Sequence, residues 1–170
     1  MKDLFDKFSN DDFDLFSLKK EDDPLYDEPK PTLLGYAIYK LEPVAYLISN
    51  RTTLPIISPT GNKVGELDMD IIPHDDNGCE FDEVPEQPNE LIGQPLRYKV
   101  CLYKLSGLNE DFCSNIQIEY KISADNSVNR SKVYNESELG KQVEVEINET
   151  FEHYMDYLSE EDIEYFEKGA

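Results

Sequence analysis

The chain has 170 residues and a formal net charge of −21, from 37 Asp and Glu against 16 Lys and Arg. That length suits one domain, or one domain with an appended segment, and with only 39% hydrophobic residues the globular part is expected to be smaller than the chain. Such an excess of carboxylates repels phosphate backbones and anionic lipid surfaces, which need clustered Lys and Arg, so nucleic acid and bare membrane are poor partners and protein surfaces are better ones.

Residues 1–30 form a block of their own, with ten acidic and five basic residues, few branched aliphatics and prolines at Pro24 and Pro29. It cannot build a core and is predicted to be disordered. Phe5, Phe8, Phe13 and Phe16 are interleaved there with Asp6, Asp11, Asp12 and Asp14. Two readings stand: a candidate linear motif that docks in a partner's groove, or a linker whose aromatics fold back onto the domain.

From 31 to 73 the pattern turns to β structure. The apolar runs LLGYAIYKL and VAYLIS are separated by Glu42-Pro43, which breaks any helix attempted across both. In LPIISPTGNKVGELDMDII a turn at Pro59–Asn62 is followed by Leu67, Met69 and Ile71 alternating with Glu66, Asp68 and Asp70. That predicts a hairpin. Residues 74–90 hold many carboxylates, no Lys or Arg and two prolines, and read as an acidic linker or long loop. Asp75, Asp76, Glu80, Asp82, Glu83 and Glu86 within it are the candidate interaction surface.

Residues 91–170 begin with the most telling stretch, Leu91–Ile122, read as two strands joined by a polar loop containing Gly107. Leu96, Tyr98, Val100 and Leu102 fall on one face with Arg97, Lys99 and Tyr103 on the other. Ile116, Ile118, Tyr120 and Ile122 then alternate with Gln117, Glu119 and Lys121. Period-2 patterning of this kind marks antiparallel strands with one buried face. Val143, Val145 and Ile147 predict a further strand. ETFEHYMDYL fits a helix through Phe151, Tyr154, Met155 and Leu158, and equally a strand through Phe151, His153, Met155 and Tyr157. SEEDIEYFEKG reads as a helix capped by Ser159, with Glu160, Glu161 and Asp162 at its positive end and Gly169 at its exit.

No nucleotide-loop, nucleophile-elbow or zinc-protease motif occurs, and the two histidines, His74 and His153, read as a solvated linker residue and a packed one. The reading is non-catalytic, with no cofactor. Cys79, Cys101 and Cys113 are odd in number and lack CxxC spacing, which speaks against a disulfide framework and a zinc site. With no apolar leader after Met1 and no stretch of membrane-spanning length, a reducing cytosolic setting is expected, where the sequons at Asn50, Asn129, Asn135 and Asn148 are chance matches. Calcium wants six to eight converging oxygens, and Asp68, Asp70, Asp75, Asp76 and Asp111 are the residues weighed for it. The alternation of Asp68 and Asp70 on a strand puts them on one face without wrapping an ion, and no metal site is assigned.

Taken in order, several stretches resemble the non-motor tail of kinesin-3 motors. Asp23-Pro24-Leu25-Tyr26-Asp27 is similar to a DPFYD-like box that precedes a β-rich segment after the forkhead-associated domain. Pro55, Ile56, Ile57, Gly61, Gly65 and Leu67 match a P-I-I-x-x-x-G-x-x-x-G-x-L pattern. LIGQPLRYKVCLYKLSGL, SNIQIEYKI and SEEDIEYFEKGA resemble the opening strand, the second strand and the S-E-E-x-x-x-Y-x-x-x-G segment of the C2-like domain that follows. The resemblance covers about residues 22–170. It implies a mainly all-β fold: a C2-like antiparallel sandwich over 91–170 without its last strand, preceded by the hairpin segment. It also resolves ETFEHYMDYL as a strand. By the same resemblance the chain is a cargo-adaptor or autoinhibitory region in microtubule-based transport, cytoplasmic and vesicle- or cytoskeleton-associated. Its partners are adaptors or the motor's own head, and it reaches microtubules only through a motor domain outside the chain. Asn115 stands where calcium-binding C2 domains carry an Asp ligand. A free-standing acidic interaction protein of membrane trafficking and a calcium- and phospholipid-binding C2 module are the alternatives.

Overall fold

The computed structural model describes residues 31–108, 115–122, 128–135 and 144–169. The Phe5–Phe16 motif, Asp111, Cys113 and Val143 lie outside these residues. From Leu34 onward the chain is mainly β, built on a four-stranded antiparallel sheet: β1 (Thr52–Ile57), β2 (Lys63–His74), β3 (Leu96–Ser106) and β8 (Val145–Met155), in the order β1-β2-β3-β8. Among the described residues between β3 and β8 lie the two-residue strands β4 (Asn115–Ile116), β5 (Glu119–Tyr120), β6 (Asn129–Arg130) and β7 (Tyr134–Asn135).

The hairpin β1-β2 forms where alternation and the Pro59–Asn62 turn place it, closed by Ser58 N–H to Asn62 O with Gly61 at φ +85°. Pro55 stands in β1, an edge strand, as a residue without an N–H must. Leu67, Met69 and Ile71 of β2 and Leu96, Tyr98, Val100 and Leu102 of β3 are buried on one face. Tyr103 has no partner of its own in β2, because Met69 pairs with Leu102 and Asp68 with Lys104. This bulge turns the strand by one residue, so that Leu105 also points inward. Opposite it β8 spends two residues, Ile147 and Asn148, between the Lys104 and Leu102 pairings. Asn148 takes the left-handed conformation (φ +49°) that Asn tolerates better than most.

ETFEHYM is strand: β8 runs to Met155, its Phe151, His153 and Met155 facing inward and Glu152 and Tyr154 outward, but Asp156 and Tyr157 lie beyond its end and Tyr157, expected on the inward row, is 67% exposed. The expected pairing of residues 96–106 with 116–122 does not form. Both edges of β3 are occupied, by β2 and β8, and 115–122 folds instead against 128–135, as β4-β7 and β5-β6. Alternation specifies which face a strand buries, not which neighbour it takes. Between the two short ladders Ser131 is buried and bridges both sides: its N–H donates to Ile118 O, and its hydroxyl accepts from Ile118 N–H. This hairpin leans on β8 through Tyr134, whose hydroxyl donates to Ile147 O, and through Tyr120, which meets Phe151 edge-on at 5.4 Å.

The runs at 33–49 are not the expected strands. Residues 33–41 are irregular, with one bridge between Tyr36 and Ile57, and Glu42–Ala45 forms a single helical turn, α1. Pro43 sits at its start, where a missing N–H costs nothing and a fixed φ favours the helix. Leu47, left-handed at φ +56°, ends it: Leu47 N–H returns to Val44 O and Ile48 N–H to Pro43 O. A 3-10 turn, Pro88–Leu91, leads into β3, and α2 (Glu160–Lys168) closes the described chain. Ser159 caps α2 as expected, in a reciprocal box with Asp162. Gly169 marks its end in an extended conformation, not the left-handed one of a glycine cap. Ile163 and Phe166 of α2 and Val44 and Ala45 of α1 are buried, and Phe166 meets the Tyr98 ring edge-on at 6.5 Å. Helices and hairpin thus cover the apolar face. The opposite face carries the charges.

Candidate interaction surface

The outward row of β2 is Asp68, Asp70, Ile72 and His74; beside it on β3 stand Arg97, Lys99, Cys101 and Tyr103, and on β8 Thr150, Glu152 and Tyr154. Cations there are matched one by one. Arg51 donates to both oxygens of Asp68 (3.2 and 2.7 Å) while its guanidinium lies 4.0 Å over the Tyr103 ring. Arg97 donates to Asp76 at 2.7 Å and covers Tyr154 at 4.3 Å. Lys99 reaches Glu152 at 3.4 Å and Lys104 reaches Glu144 at 2.6 Å. Burial opposes ionisation of Glu152, but the hydrogen bond from His74 and the charge of Lys99 hold its carboxyl below the usual range.

Two groups on this face are more enclosed than their sequence context suggests. His74 is not a solvated linker residue. It ends β2, is 7% exposed, and its ring nitrogens lie 2.8 Å from Asp75 O and 3.1 Å from Glu152 Oε2. Asp70 is equally buried: residues 49–51 cross over it, and its Oδ1 accepts from Asn50 N–H at 2.9 Å. Desolvation pushes its carboxyl up, against the pull of that bond. Tyr39, which donates to Asn50 O, is pushed up to about 12 by burial and by the Asp70 charge. His153 packs as expected, stacked on Tyr98 at 5.0 Å and sharing a 2.7 Å hydrogen bond with the Tyr120 hydroxyl, which burial pushes upward.

The six candidate carboxylates of the acidic loop divide in two. Asp75 belongs to the loop's own framework: its Oδ1 accepts from Asn77 N–H and Cys79 N–H, both at 2.8 Å, and its Oδ2 from the Asn77 amide at 3.1 Å. The Cys79 N–H, then the Asn77 amide, hold its carboxyl below the ordinary range. Asp76 is engaged with Arg97, and Glu80 accepts from the Ser49 hydroxyl at 2.5 Å. Asp82, Glu83 and Glu86 are exposed and have no hydrogen bond or ion pair among the described residues. Val84, between them, is 53% exposed. Sequence reading passed over Val84; an apolar residue flanked by Glu83 and Pro85 in a loop was the available signal.

Of the carboxylates weighed for calcium, the four among the described residues, Asp68, Asp70, Asp75 and Asp76, do not converge. Asp68 is spent on Arg51, Asp70 is buried, Asp75 closes its own loop and Asp76 pairs with Arg97. Among the described residues no group of three or more His, Cys, Asp or Glu is arranged to hold a metal ion, and no helix is long and apolar enough to cross a membrane. Seven Lys and Arg side chains of the described residues are in ion pairs; the others are Lys40, Lys121 and Lys132, the last lying 4.7 Å over the Tyr134 ring.

No protein-family model matches the chain, and no curated protein matches it.

Proposed function

We propose that this protein is a non-catalytic interaction module that binds a basic surface of a protein partner through the loop from Asp75 to Glu90. The observation that carries this reading is the asymmetry of its charges. The cations of the charged sheet face are engaged in ion pairs, whereas Asp82, Glu83 and Glu86, exposed on either side of the exposed Val84 in sequence, have no partner among the described residues. Unpaired carboxylates steer a cationic partner, and an apolar residue at the centre of the patch adds contact area that water cannot screen. The first half of the loop is tied down: Asp75 closes it on itself, Asp76 pairs with Arg97 of the sheet and Glu80 accepts from Ser49.

The order and spacing of the motifs from Asp23 to Gly169 support a more specific setting for this module, the tail of a kinesin-3-like motor, with residues 91–170 in the place of its C2-like domain. There the partner is a cargo adaptor or the motor's own head, in cytoplasmic, vesicle-associated transport. Pull-down of adaptors and of a kinesin-3 head, with the Asp82→Lys, Glu83→Lys, Glu86→Lys variant alongside, tests this. Capture by the native chain and loss in the variant support the proposal; equal capture by both contradicts it. Co-sedimentation with anionic vesicles, with and without calcium, separates the lipid-binding alternative, which predicts calcium-dependent pelleting.

A further inference from the structure

Asn77 is the only asparagine in the chain followed by glycine, and both residues are exposed at the tip of the loop after β2. An asparagine side chain loses ammonia when the backbone nitrogen of the next residue attacks its Cγ. The new N–Cγ bond closes a five-membered succinimide, the bond to the side-chain nitrogen breaks, and that nitrogen leaves as ammonia. Water then adds to either imide carbonyl, giving Asp or isoaspartate. Glycine in the following position speeds ring closure because no side chain obstructs it and its backbone turns freely. Space at Gly78 is open: a Cβ there would meet only Lys99 Nζ, at 3.7 Å.

The folded loop restrains the atoms that this reaction must move. Gly78 N–H, whose nitrogen is the nucleophile, donates to Asp75 O at 3.0 Å. The Asn77 side-chain nitrogen, which is the leaving group, donates to Asp75 Oδ2 at 3.1 Å, and the Asn77 main-chain N–H is tied to Asp75 Oδ1 at 2.8 Å. Asp75 and Cys79 bind each other in both directions, Asp75 N–H to Cys79 O and Cys79 N–H to Asp75 Oδ1. We infer that Asn77 is a site of succinimide-mediated deamidation and that Asp75 is the clamp that sets its rate. Conversion replaces the Asn77 amide donor with a carboxylate facing that of Asp75. The isoaspartate product also lengthens the main chain by one methylene inside the Asp75–Cys79 closure. Either product loosens the loop that carries Asp76 against Arg97.

The test keeps the full chain in mildly alkaline buffer and maps its peptides by mass spectrometry over time, with isoaspartate read separately. The native chain, the Asp75→Ala variant, the Asn77→Gln variant and the native sequence unfolded in urea are followed in parallel. We expect conversion in urea to be fastest at Asn77 and slower there in the folded chain. Asp75→Ala is expected to recover roughly a tenfold faster rate, the factor that about 1.4 kcal/mol of lost restraint produces. In Asn77→Gln the modification disappears from this peptide. If Asp75→Ala fails to fold, the ratio of the native rate to the rate in urea still measures the clamp. Conversion in urea no faster at Asn77 than at Asn62 or Asn89 overturns the site, and equal rates in the native and unfolded chains overturn the clamp.

Discussion

Gly61 and Gly65 both occupy positions of the P-I-I-x-x-x-G-x-x-x-G-x-L pattern, yet the fold requires them for different reasons, and the difference is measurable. Gly61 sits at φ +85° in the β1-β2 turn with nothing within 4 Å of a Cβ built on it, so its requirement is conformational. Gly65 lies within β2 at ordinary φ, and a Cβ there would stand 2.6 Å from Leu108 Cδ2 and 3.0 Å from Ser106 O. Its requirement is space. Placing Ala in the left-handed region costs about 1–2 kcal/mol, offset by roughly 0.4–1 kcal/mol from the stiffer unfolded chain, so Gly61→Ala should lose between about 0 and 1.6 kcal/mol. Gly65→Ala forces the buried Leu108 aside and presses on a backbone carbonyl that cannot retreat, an overpacking cost of roughly 1–3 kcal/mol. Two further variants separate the mechanisms. Gly61→Asn is near neutral because Asn accepts positive φ. Leu108→Val partly rescues Gly65→Ala in a double-mutant cycle, with a coupling of about 0.5 kcal/mol or more between contacting residues. Urea denaturation with a common m-value is the assay. A Gly61→Ala loss exceeding that of Gly65→Ala, or additivity in the cycle, would show that space is not what Gly65 supplies.

Other consequences are as specific. Phe166→Ala empties the space between α2 and Tyr98, and should cost about 3–5 kcal/mol in the same assay; Tyr165→Ala, only partly buried beside it, should cost less. Asp70 affects the pH dependence of stability. Its folded-state carboxyl titrates above the ordinary value, so between that value and the raised one the folded chain binds more protons than the unfolded chain. Stability from this residue therefore falls as pH rises through that window. Asp70→Asn keeps an acceptor for Asn50 N–H and should raise the melting temperature near neutrality and leave it nearly unchanged in acid. Asp75 and Glu152 act in the other direction: their lowered values contribute stability above the ordinary carboxylate range that is lost on acidification. Ser159→Ala removes the cap of α2 and should cost about 1 kcal/mol, seen as faster amide exchange in residues 160–163.

Much of this architecture was legible because the relevant forces are local. The β1-β2 hairpin follows from alternation on both sides of a Pro-Thr-Gly-Asn turn, and α2 from Ser159 and three acids ahead of an apolar stripe. At 33–49 the runs have no clear period, so apolar content alone suggested strands where Pro43 in fact begins a helical turn. The partners of β3 were illegible for a different reason: a two-residue repeat records burial, and β2 and β8 competed for the same edges as 116–122. Asp70 and His74 occupy the outward phase of β2, which implies solvent. Their partners come from outside β2, Asn50 N–H for Asp70, and Asp75 O and Glu152 for His74, contacts with no periodic signature. Within the acidic loop, composition singled out six carboxylates alike, and geometry divides them into three that are bonded and three, beside Val84, that have no hydrogen bond or ion pair among the described residues.

The measurement that bears most directly on the proposed role is the affinity of the full chain for a kinesin-3 motor head across a range of salt concentrations. A contact made by unpaired surface carboxylates weakens as the screening length shrinks from about 10 Å at 0.1 M to about 3 Å at 1 M salt. Binding should weaken steeply with salt and be lost in the Asp82→Lys, Glu83→Lys, Glu86→Lys variant at every salt concentration. No binding at low salt, or binding indifferent to both salt and the reversed charges, would contradict the proposed role.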